Sequence, residues 1–216
     1  MPHVKWQLVE GFDQLPLTYK WVDHPSQQDW PVGNYNHMIQ FWLSRVFQQP
    51  AVRHLDYYCR MDTDSSFLSP SPVDIFHKMH EGSYKYGYRT QAVDPVAVTG
   101  GLWDFLDGFL TNHPHASITA AHNGFELPPV DKRNTSDVTT YYNNFEVVNV
   151  KAFTTSKDIR DFTKEVEQTN NVYNRRWGDA PLRFVVCQLF LDVEVDVLQF
   201  CEISYEHQGL KFHASC

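Results

Sequence analysis

Two aspartates stand one residue apart in Asp62-Thr63-Asp64, directly after the stretch 55–61, whose alternating aromatic residues predict a β-strand. At the end of a strand, two carboxylates at this spacing can approach one hard cation. Mg²⁺ and Mn²⁺ prefer oxygen ligands, usually one or two carboxylates completed by phosphate oxygens. The pattern therefore suits a clamp for a divalent metal and a diphosphate. It also suits a solvated turn in which aspartate bonds its own backbone, and the motif alone favours that turn.

A single carboxylate, Glu146, interrupts the mainly apolar run 144–150, which predicts a short strand. A glutamate in such a strand is costly unless it is paired or faces a polar cleft. The residues alone leave two alternatives at about even weight: an outward-facing strand residue and a carboxylate held at a site.

Two further positions can carry chemistry. Asp179 precedes Ala180-Pro181, so it suits the N-cap of a following helix, and the residues alone favour this cap. In the alternative, Asp179 accepts hydrogen bonds from sugar hydroxyls while Trp177 packs on an apolar sugar face. His207 can ligate a metal through a ring nitrogen, although any one of eleven histidines is more often an ordinary residue.

The elements that must position these side chains alternate between helix and strand. Helices are predicted over 34–49, 72–80, 95–112, 156–168 and from Pro181 onward. Strands are predicted over 55–61, 84–88, 144–150 and 195–200. Residues 1–33 are predicted to be an irregular lead-in, and 114–140, rich in Pro, Asn, Thr and Asp, a long loop. The alternation indicates the α/β class, and 216 residues suit one domain over 1–216.

Composition excludes several classes of protein. With 18 basic against 26 acidic residues, a net charge of −8, the chain is not expected to have a nucleic-acid partner. No run of 18 apolar residues occurs, so we expect no membrane span in this chain. Four cysteines lack a C-x-x-C pair, which argues against a zinc ribbon and leaves free thiols and two disulfides both open.

Five short segments occur in one order along the chain. They are Tyr35-Asn36-His37-Met38, Tyr57-Tyr58-Cys59-Arg60-Met61-Asp62-Thr63-Asp64, Asn144-Phe145-Glu146, Arg176-Trp177-Gly178-Asp179-Ala180-Pro181 and Tyr205-Glu206-His207. Together they resemble glycosyltransferase family 15, the fungal α-1,2-mannosyltransferase family. The fourth segment is the most specific, and five segments in order outweigh the alternatives that each segment has by itself.

The resemblance implies an α/β fold of the GT-A type found in nucleotide-diphospho-sugar transferases. The implied reaction moves mannose from GDP-mannose to a mannoside or glycoprotein acceptor, forms an α-1,2 linkage with retention of configuration, uses Mn²⁺, and occurs in the Golgi lumen. The implied site residues are Asp62, Asp64 and His207 for the metal; Tyr35, Arg60 and Asp64 for the donor; Glu146, near the anomeric carbon, and Asp179 for catalysis; and Trp177 and Asp179 for the acceptor.

The chain departs from the family pattern at several places. Asp62 and Thr63 stand where the family motif has Glu and Pro, and Gln40 replaces an Arg that would help to hold phosphate. Only 34 residues precede Tyr35, so we expect the N-terminal half of the GT-A fold, with its first nucleotide-binding strands, to be incomplete. Two alternatives to the mannosyltransferase therefore stay open: a catalytically silent relative that binds a glycan or a partner, and a transferase that uses another nucleotide-sugar.

Overall fold

The computed structural model describes residues 34–216, with side chains from Tyr35 onward, so the predicted lead-in 1–33 lies outside the described residues. The α-helices of the described part are α1 (Asn34–Leu43), α2 (Ile75–Glu81), α3 (Val96–Thr99), α4 (Leu102–Asn112), α5 (Pro114–His122), α6 (Val150–Thr155), α7 (Lys157–Thr169), α8 (Asn171–Asn174), α9 (Asp179–Phe190) and α10 (Val193–Asp196). Its strands are β1 (Tyr57–Met61), β2 (Ser65–Phe67), β3 (Tyr86–Tyr88), β4 (Gln91–Asp94), β5 (Val138–Tyr141), β6 (Phe145–Asn149), β7 (Val197–Gln199), β8 (Tyr205–His207) and β9 (Leu210–Phe212).

Four strands form the main sheet in the order β1-β6-β3-β7, with β6 antiparallel to both neighbours and β3 parallel to β7. Successive side chains of β6 point to opposite faces of this sheet. Phe145 and Val147 enter one core with Met79 of α2. Val148 enters the larger core on the other face, where Glu146 meets Arg183 of α9. Helices thus cover both faces of the sheet, as the α/β class requires.

The helix α9 is buried along most of its length, which agrees with a sequence that is apolar around nearly all of its circumference. Its first residue is Asp179, and Gly178 is the preceding N-cap. Since core packing fixes the helix, it also fixes where the Asp179 carboxylate lies.

Two smaller sheets flank the main one. β2, β8 and β9 form an antiparallel sheet in which Ser65 lies opposite His207. The turn Gln208–Gly209 joins β8 to β9, and both of its residues have positive φ, 50° and 80°, as a type I′ hairpin turn requires. β4 and β5 form an antiparallel pair in which Asp94 lies opposite Val138.

Several predicted elements are confirmed. The strands predicted over 55–61, 84–88, 144–150 and 195–200 are present as β1, β3, β6 and β7. The helix predicted over 156–168 is α7, capped by Ser156, whose hydroxyl accepts from the Ile159 N–H. Among the described residues, no helix has both the length and the apolar character needed to cross a membrane.

The prediction of a long loop over 114–140 is wrong, because this segment contains α5, the 3₁₀ turn Val130–Lys132 and β5. Pro114 occupies the first turn of α5, where its missing N–H costs no helical bond. Ala116 and Ala120, one helical turn apart, are buried. The polar and proline-rich composition concealed a short helix that is held by tertiary packing.

Three helix boundaries also differ from the prediction. The helix predicted over 95–112 is divided into α3 and α4 at Gly100–Gly101, where Gly101 has a φ of 77°. The helix predicted over 34–49 ends at Leu43 and is followed by the 3₁₀ turn Arg45–Gln48. α2 begins after Asp74, whose carboxylate accepts from two backbone N–H groups, instead of at Pro72.

Candidate active site

Asp62, Asp64 and His207 form a cluster in which one ligand atom from each residue lies within 4.8 Å of the others. Asp64 Oδ1 is 3.2 Å from His207 Nδ1. A turn closed by the Ser65 N–H and the Asp62 carbonyl (2.9 Å) links the end of β1 to β2. β2 then pairs with β8, so the strand register brings His207 beside two carboxylates that are more than 140 residues away in sequence.

The chemistry of this cluster fits a divalent cation. Carboxylate oxygens and an imidazole nitrogen are ligands that Mn²⁺ accepts. His207 is buried and oriented by the Ser65 hydroxyl, which lies 3.0 Å from its Nδ1. The Gln208 amide donates to Asp64 Oδ2 at 3.0 Å and holds the pKa of that carboxylate below its usual value. Asp62, Asp64 and His207 would therefore hold the metal, and Asp64 is the exposed member of the three.

Arg60 lies buried behind the cluster and connects it to Asp179. Its Nε donates to Asp62 Oδ1 at 2.9 Å, and its Nη1 donates to Asp179 Oδ2. The guanidinium also lies over the ring of Trp42, 4.5 Å from the ring centre. Burial by itself would lower the pKa of Arg60, but Asp179, Glu146 and Asp62 outweigh it and raise the pKa. The observed role of Arg60 is to hold two carboxylates, whereas its predicted contact with the donor stays a prediction.

Asp179 is a buried carboxylate held from two sides. Besides the Arg60 contact, its Oδ2 accepts from Asn143 Nδ2 at 2.8 Å. The side chain makes no capping hydrogen bond to α9, so the interpretation of Asp179 as a helix cap is wrong. Asp179 is thus a buried carboxylate that Arg60 links to Asp62 of the metal cluster.

Sequence reasoning missed two charged residues close to Asp179. The Arg176 guanidinium lies over the Tyr35 ring, 4.6 Å from its centre, and Arg176 has a φ of 61°, unusual for a residue other than glycine. Burial raises the pKa of Asp94, Arg176 lowers it and Asp179 raises it further. Arg176 belongs to the most specific of the five segments, so the sequence could have pointed to it. The pairing of β4 with β5 positions Asp94, and no pattern in the neighbouring residues indicates this.

Tyr142, which was not among the predicted site residues, also borders the metal cluster. The edge of Tyr142 packs against His207, with 5.5 Å between the ring centres. Burial, followed by the charges of Asp62 and Asp64, raises the pKa of Tyr142. Its phenol therefore stays protonated beside the carboxylates and can serve as a hydrogen-bond donor.

Glu146 is fully buried, with 0% of its surface exposed, so the interpretation as an outward-facing strand residue is wrong. Its Oε1 accepts from the Tyr58 hydroxyl at 2.9 Å, and its Oε2 lies 3.4 Å from Arg183 Nε. Burial, and then Glu146, raises the pKa of Tyr58 well above its usual value. The carboxylate is thus paired inside the core, and its catalytic role stays a prediction.

Trp177 lies buried just before α9. The indole has 0% of its surface exposed, packs 5.4 Å from the ring centre of Phe105, and donates from Nε1 to the Gly100 carbonyl at 2.9 Å. The ring has no exposed surface, so contact with a sugar would require it to move, and the acceptor contact of Trp177 stays a prediction. The residue instead anchors the backbone that leads to Asp179.

Gln40 stands where the family has an Arg that would help to hold phosphate, and its contacts lie outside the metal cluster. Its Nε2 donates to Glu167 Oε1 at 2.6 Å and to the Ser44 hydroxyl at 3.1 Å. Gln40 also lines a cavity of about 650 Å³ that includes none of the three metal-cluster residues. In this chain Gln40 is therefore bonded to Glu167 of α7, and these hydrogen bonds involve none of the three metal-cluster residues.

The chain matches a known protein family and several curated relatives. The sequence profile described as glycolipid 2-alpha-mannosyltransferase matches residues 20–215. The chain is 25% identical over 214 residues to the O-glycoside alpha-1,2-mannosyltransferase omh1 of Schizosaccharomyces pombe, covering 97% of this chain and 53% of the relative. It is 26% identical over 174 residues to the glycolipid 2-alpha-mannosyltransferase 1 of Candida albicans, covering 81% of this chain and 39% of the relative.

Two solved structures share the fold. The mannosyltransferase Ktr4p from Saccharomyces cerevisiae, in complex with GDP, superposes with a TM-score of 0.74 at 22% identity, covering 88% of this chain and 50% of that chain. The Mn/GDP form of core-mannan synthase A from Aspergillus fumigatus gives 0.72 at 21% identity, covering 84% and 50%. The chain spans about half the length of these relatives. The α/β fold of the GT-A type is confirmed, and the chain belongs to the glycolipid 2-alpha-mannosyltransferase family, glycosyltransferase family 15.

Proposed function

We propose that this chain forms a metal-dependent mannosyltransferase site that moves mannose from GDP-mannose to a hydroxyl of a mannoside or glycoprotein acceptor. The observation that carries the proposal is the convergence of Asp62, Asp64 and His207 within 4.8 Å. The Mn/GDP and GDP complexes of the structural neighbours support the same donor and cation. The α-1,2 linkage and retention of configuration come from the family resemblance and belong to the proposal.

The residues of the proposed site have different roles, which follow from their positions. A bound Mn²⁺ would neutralise the diphosphate as the bond between the sugar and GDP breaks. Arg60 holds Asp62 in place for that cation and at the same time fixes Asp179. Asp179, fastened by Arg60 and Asn143, is suited to accept a hydrogen bond from the attacking hydroxyl and so to orient the acceptor.

Glu146 enters the proposal through the resemblance, which gives it the role of stabilising positive charge at the anomeric carbon. Its carboxylate is enclosed by Tyr58 and Arg183. Contact with a sugar therefore requires a displacement of one of these side chains. The burial of Glu146 is also the observation that favours the second candidate function, a catalytically silent relative that binds a glycan or a partner.

We propose the Golgi lumen as the location, on the strength of the family. The disulfide between Cys201 and Cys216 supports an oxidising compartment. Fluorescence microscopy of the tagged full-length gene product tests this directly, and a uniform cytosolic signal would contradict it.

A thermal-shift titration tests the function. GDP-mannose, GDP, UDP-glucose and UDP-galactose are each added with and without Mn²⁺ to the wild type, to Asp62→Ala and to Asp131→Ala. Asp131 is an exposed aspartate outside the cluster and serves as the matched control. A ligand present at a hundred times its dissociation constant stabilises by about 2.7 kcal/mol, equivalent to a rise of about 5–10 °C for a chain of this length.

The results of the titration distinguish the candidate functions. Stabilisation by GDP ligands that needs Mn²⁺, persists in Asp131→Ala and disappears in Asp62→Ala supports the proposed donor site. Preference for a UDP-sugar identifies a transferase with another donor. A folded protein that responds to no nucleotide contradicts the proposal and supports the silent relative. Release of GDP from GDP-mannose in the presence of a mannoside acceptor then measures transfer itself.

A further inference from the structure

The hairpin that carries His207 is fastened at its base by a disulfide. The hairpin is formed by β8 and β9, and the cysteines Cys201 and Cys216 lie on either side of it in sequence and are joined to each other. The bond closes a loop with a sequence separation of 15 that contains the whole hairpin. The two other cysteines, Cys59 and Cys187, are free thiols.

A buried arginine holds the same two chain segments together. Arg89 follows β3 directly and has almost no exposed surface. Its Nε donates to the Ile203 carbonyl at 2.5 Å, and its Nη2 donates to the carbonyls of His213 and Ser215, the latter at 3.1 Å. One guanidinium therefore bonds the chain just before β8 and just after β9, and it is anchored to the main sheet through β3.

The hairpin and the strand β2, which pairs with β8, form a small sheet. Its strands have three residues each, and sheets built from so few residues are marginally stable by themselves. Within the hairpin, Tyr205 stacks on Phe212 with 4.9 Å between ring centres. Towards the main sheet, Tyr205 packs on Phe145 with 5.8 Å between ring centres and donates to Asn144 Oδ1 at 2.9 Å. Leu210 at the tip is more than half exposed. Movement of the hairpin would carry His207 away from the two aspartates.

We propose that Arg89 and the Cys201–Cys216 disulfide form a clasp that positions His207 for the metal. This inference rests on the metal site of the proposed function. Neither Arg89 nor the disulfide touches the metal cluster in the structure, so Arg89 is a positioning residue. Groups that hydrogen-bond a metal ligand directly change metal affinity by about 10–100-fold when they are removed, and we expect an effect in this range because the clasp fixes the strand that carries His207.

The test measures Mn²⁺ affinity directly, by the loss of the free-ion electron paramagnetic resonance signal, with no nucleotide present. Arg89→Met and the double variant Cys201→Ser with Cys216→Ser are expected to bind Mn²⁺ 10–100-fold more weakly than the wild type. Arg133→Met and Cys59→Ser are the matched controls. Arg133 follows the 3₁₀ turn Val130–Lys132 and donates to the Pro128 carbonyl and to Asp104 of α4, and Cys59 is a free thiol. Both controls are expected to bind as the wild type does. Arg89→Lys keeps the charge with fewer donors and should lie between Arg89→Met and the wild type.

Hydrogen–deuterium exchange without metal supplies the independent measurement. In the clasp variants, amides of residues 205–212 should exchange at least 10-fold faster, while those of α9 keep the wild-type rate and show that the protein is folded. Unchanged exchange in 205–212, or unchanged Mn²⁺ affinity in Arg89→Met beside a His207→Ala variant that loses binding, would overturn the clasp. If the wild type itself does not bind Mn²⁺, the proposed function fails, and the exchange rates alone decide whether the clasp holds the hairpin.

Discussion

Replacing Arg60 by Met would test whether the charges behind the metal cluster depend on one another. The side chains of Arg60 and Asp179 are only 3% and 6% exposed, and among the described residues the variant leaves Asp179 with Asn143 as its remaining hydrogen-bond donor. Removing one member of a buried ion pair costs about 3–5 kcal/mol, because the other charge stays uncompensated. Asp62 contributes little to this loss, since its side chain is 31% exposed and water replaces the lost contact.

The assay is urea unfolding followed by tryptophan fluorescence. With a slope of about 2 kcal/mol per M, the expected loss lowers the midpoint by about 1.5–2.5 M. Adding Asp179→Asn to Arg60→Met removes the uncompensated charge, so the double variant should be more stable than Arg60→Met alone, with a coupling energy of about 2 kcal/mol. Arg133→Met, which breaks contacts to two exposed aspartates, is the control and should lower the midpoint far less than Arg60→Met does.

Two results would refute this reasoning. The first is an Arg60→Met variant whose free energy of unfolding stays within about 1 kcal/mol of the wild type, as for a surface pair. The second is a double variant whose loss of unfolding free energy equals the sum of the two single losses, which would mean that Arg60 and Asp179 do not interact.

Three further predictions concern the surroundings of the site. Asn143→Ala removes the second donor to Asp179 and should lower the free energy of unfolding by about 1–3 kcal/mol; Asn143→Asp should cost more, and an equal or smaller cost would contradict the contact. Gly87→Ala would place a Cβ 2.6 Å from the Phe200 ring and should destabilise by about 1–3 kcal/mol in thermal unfolding, whereas an unchanged melting temperature would show that the ring moves freely. Burial raises the pKa of the Cys59 thiol to about 12, so at pH 8 its reaction with Ellman's reagent should be about 10³-fold slower than that of a free thiol; rapid labelling before denaturation would exclude such burial.

Local pattern predicted the elements that carry strong signals. The alternation of 55–61 identified β1, and the two aspartates after it were recognised as candidate metal ligands before any fold was known. The apolar run 144–150 identified β6 in the same way. These signals are local because side chains that alternate along a strand leave their period in the sequence itself.

Segments without a local period escaped prediction. The hairpin of β8 and β9 turns at Gln208–Gly209, which lacks the Asn-Gly or Asp-Gly pair that marks most type I′ turns. The helix α5 opens with Pro114 and was mistaken for part of a loop. Both elements persist because neighbouring elements pack on them, which a local pattern does not record.

Residue types and order by themselves determined the family, the α/β class and the set of side chains that can bind a cation. Tertiary structure alone decided what each of them touches. The register of β2 on β8 brings His207 to Asp64, the start of α9 brings Asp179 to Arg60, and burial removes Trp177 from any surface. The physical reason is that chemistry is a property of the side chain, whereas proximity and burial arise from contacts between segments that are more than a hundred residues apart.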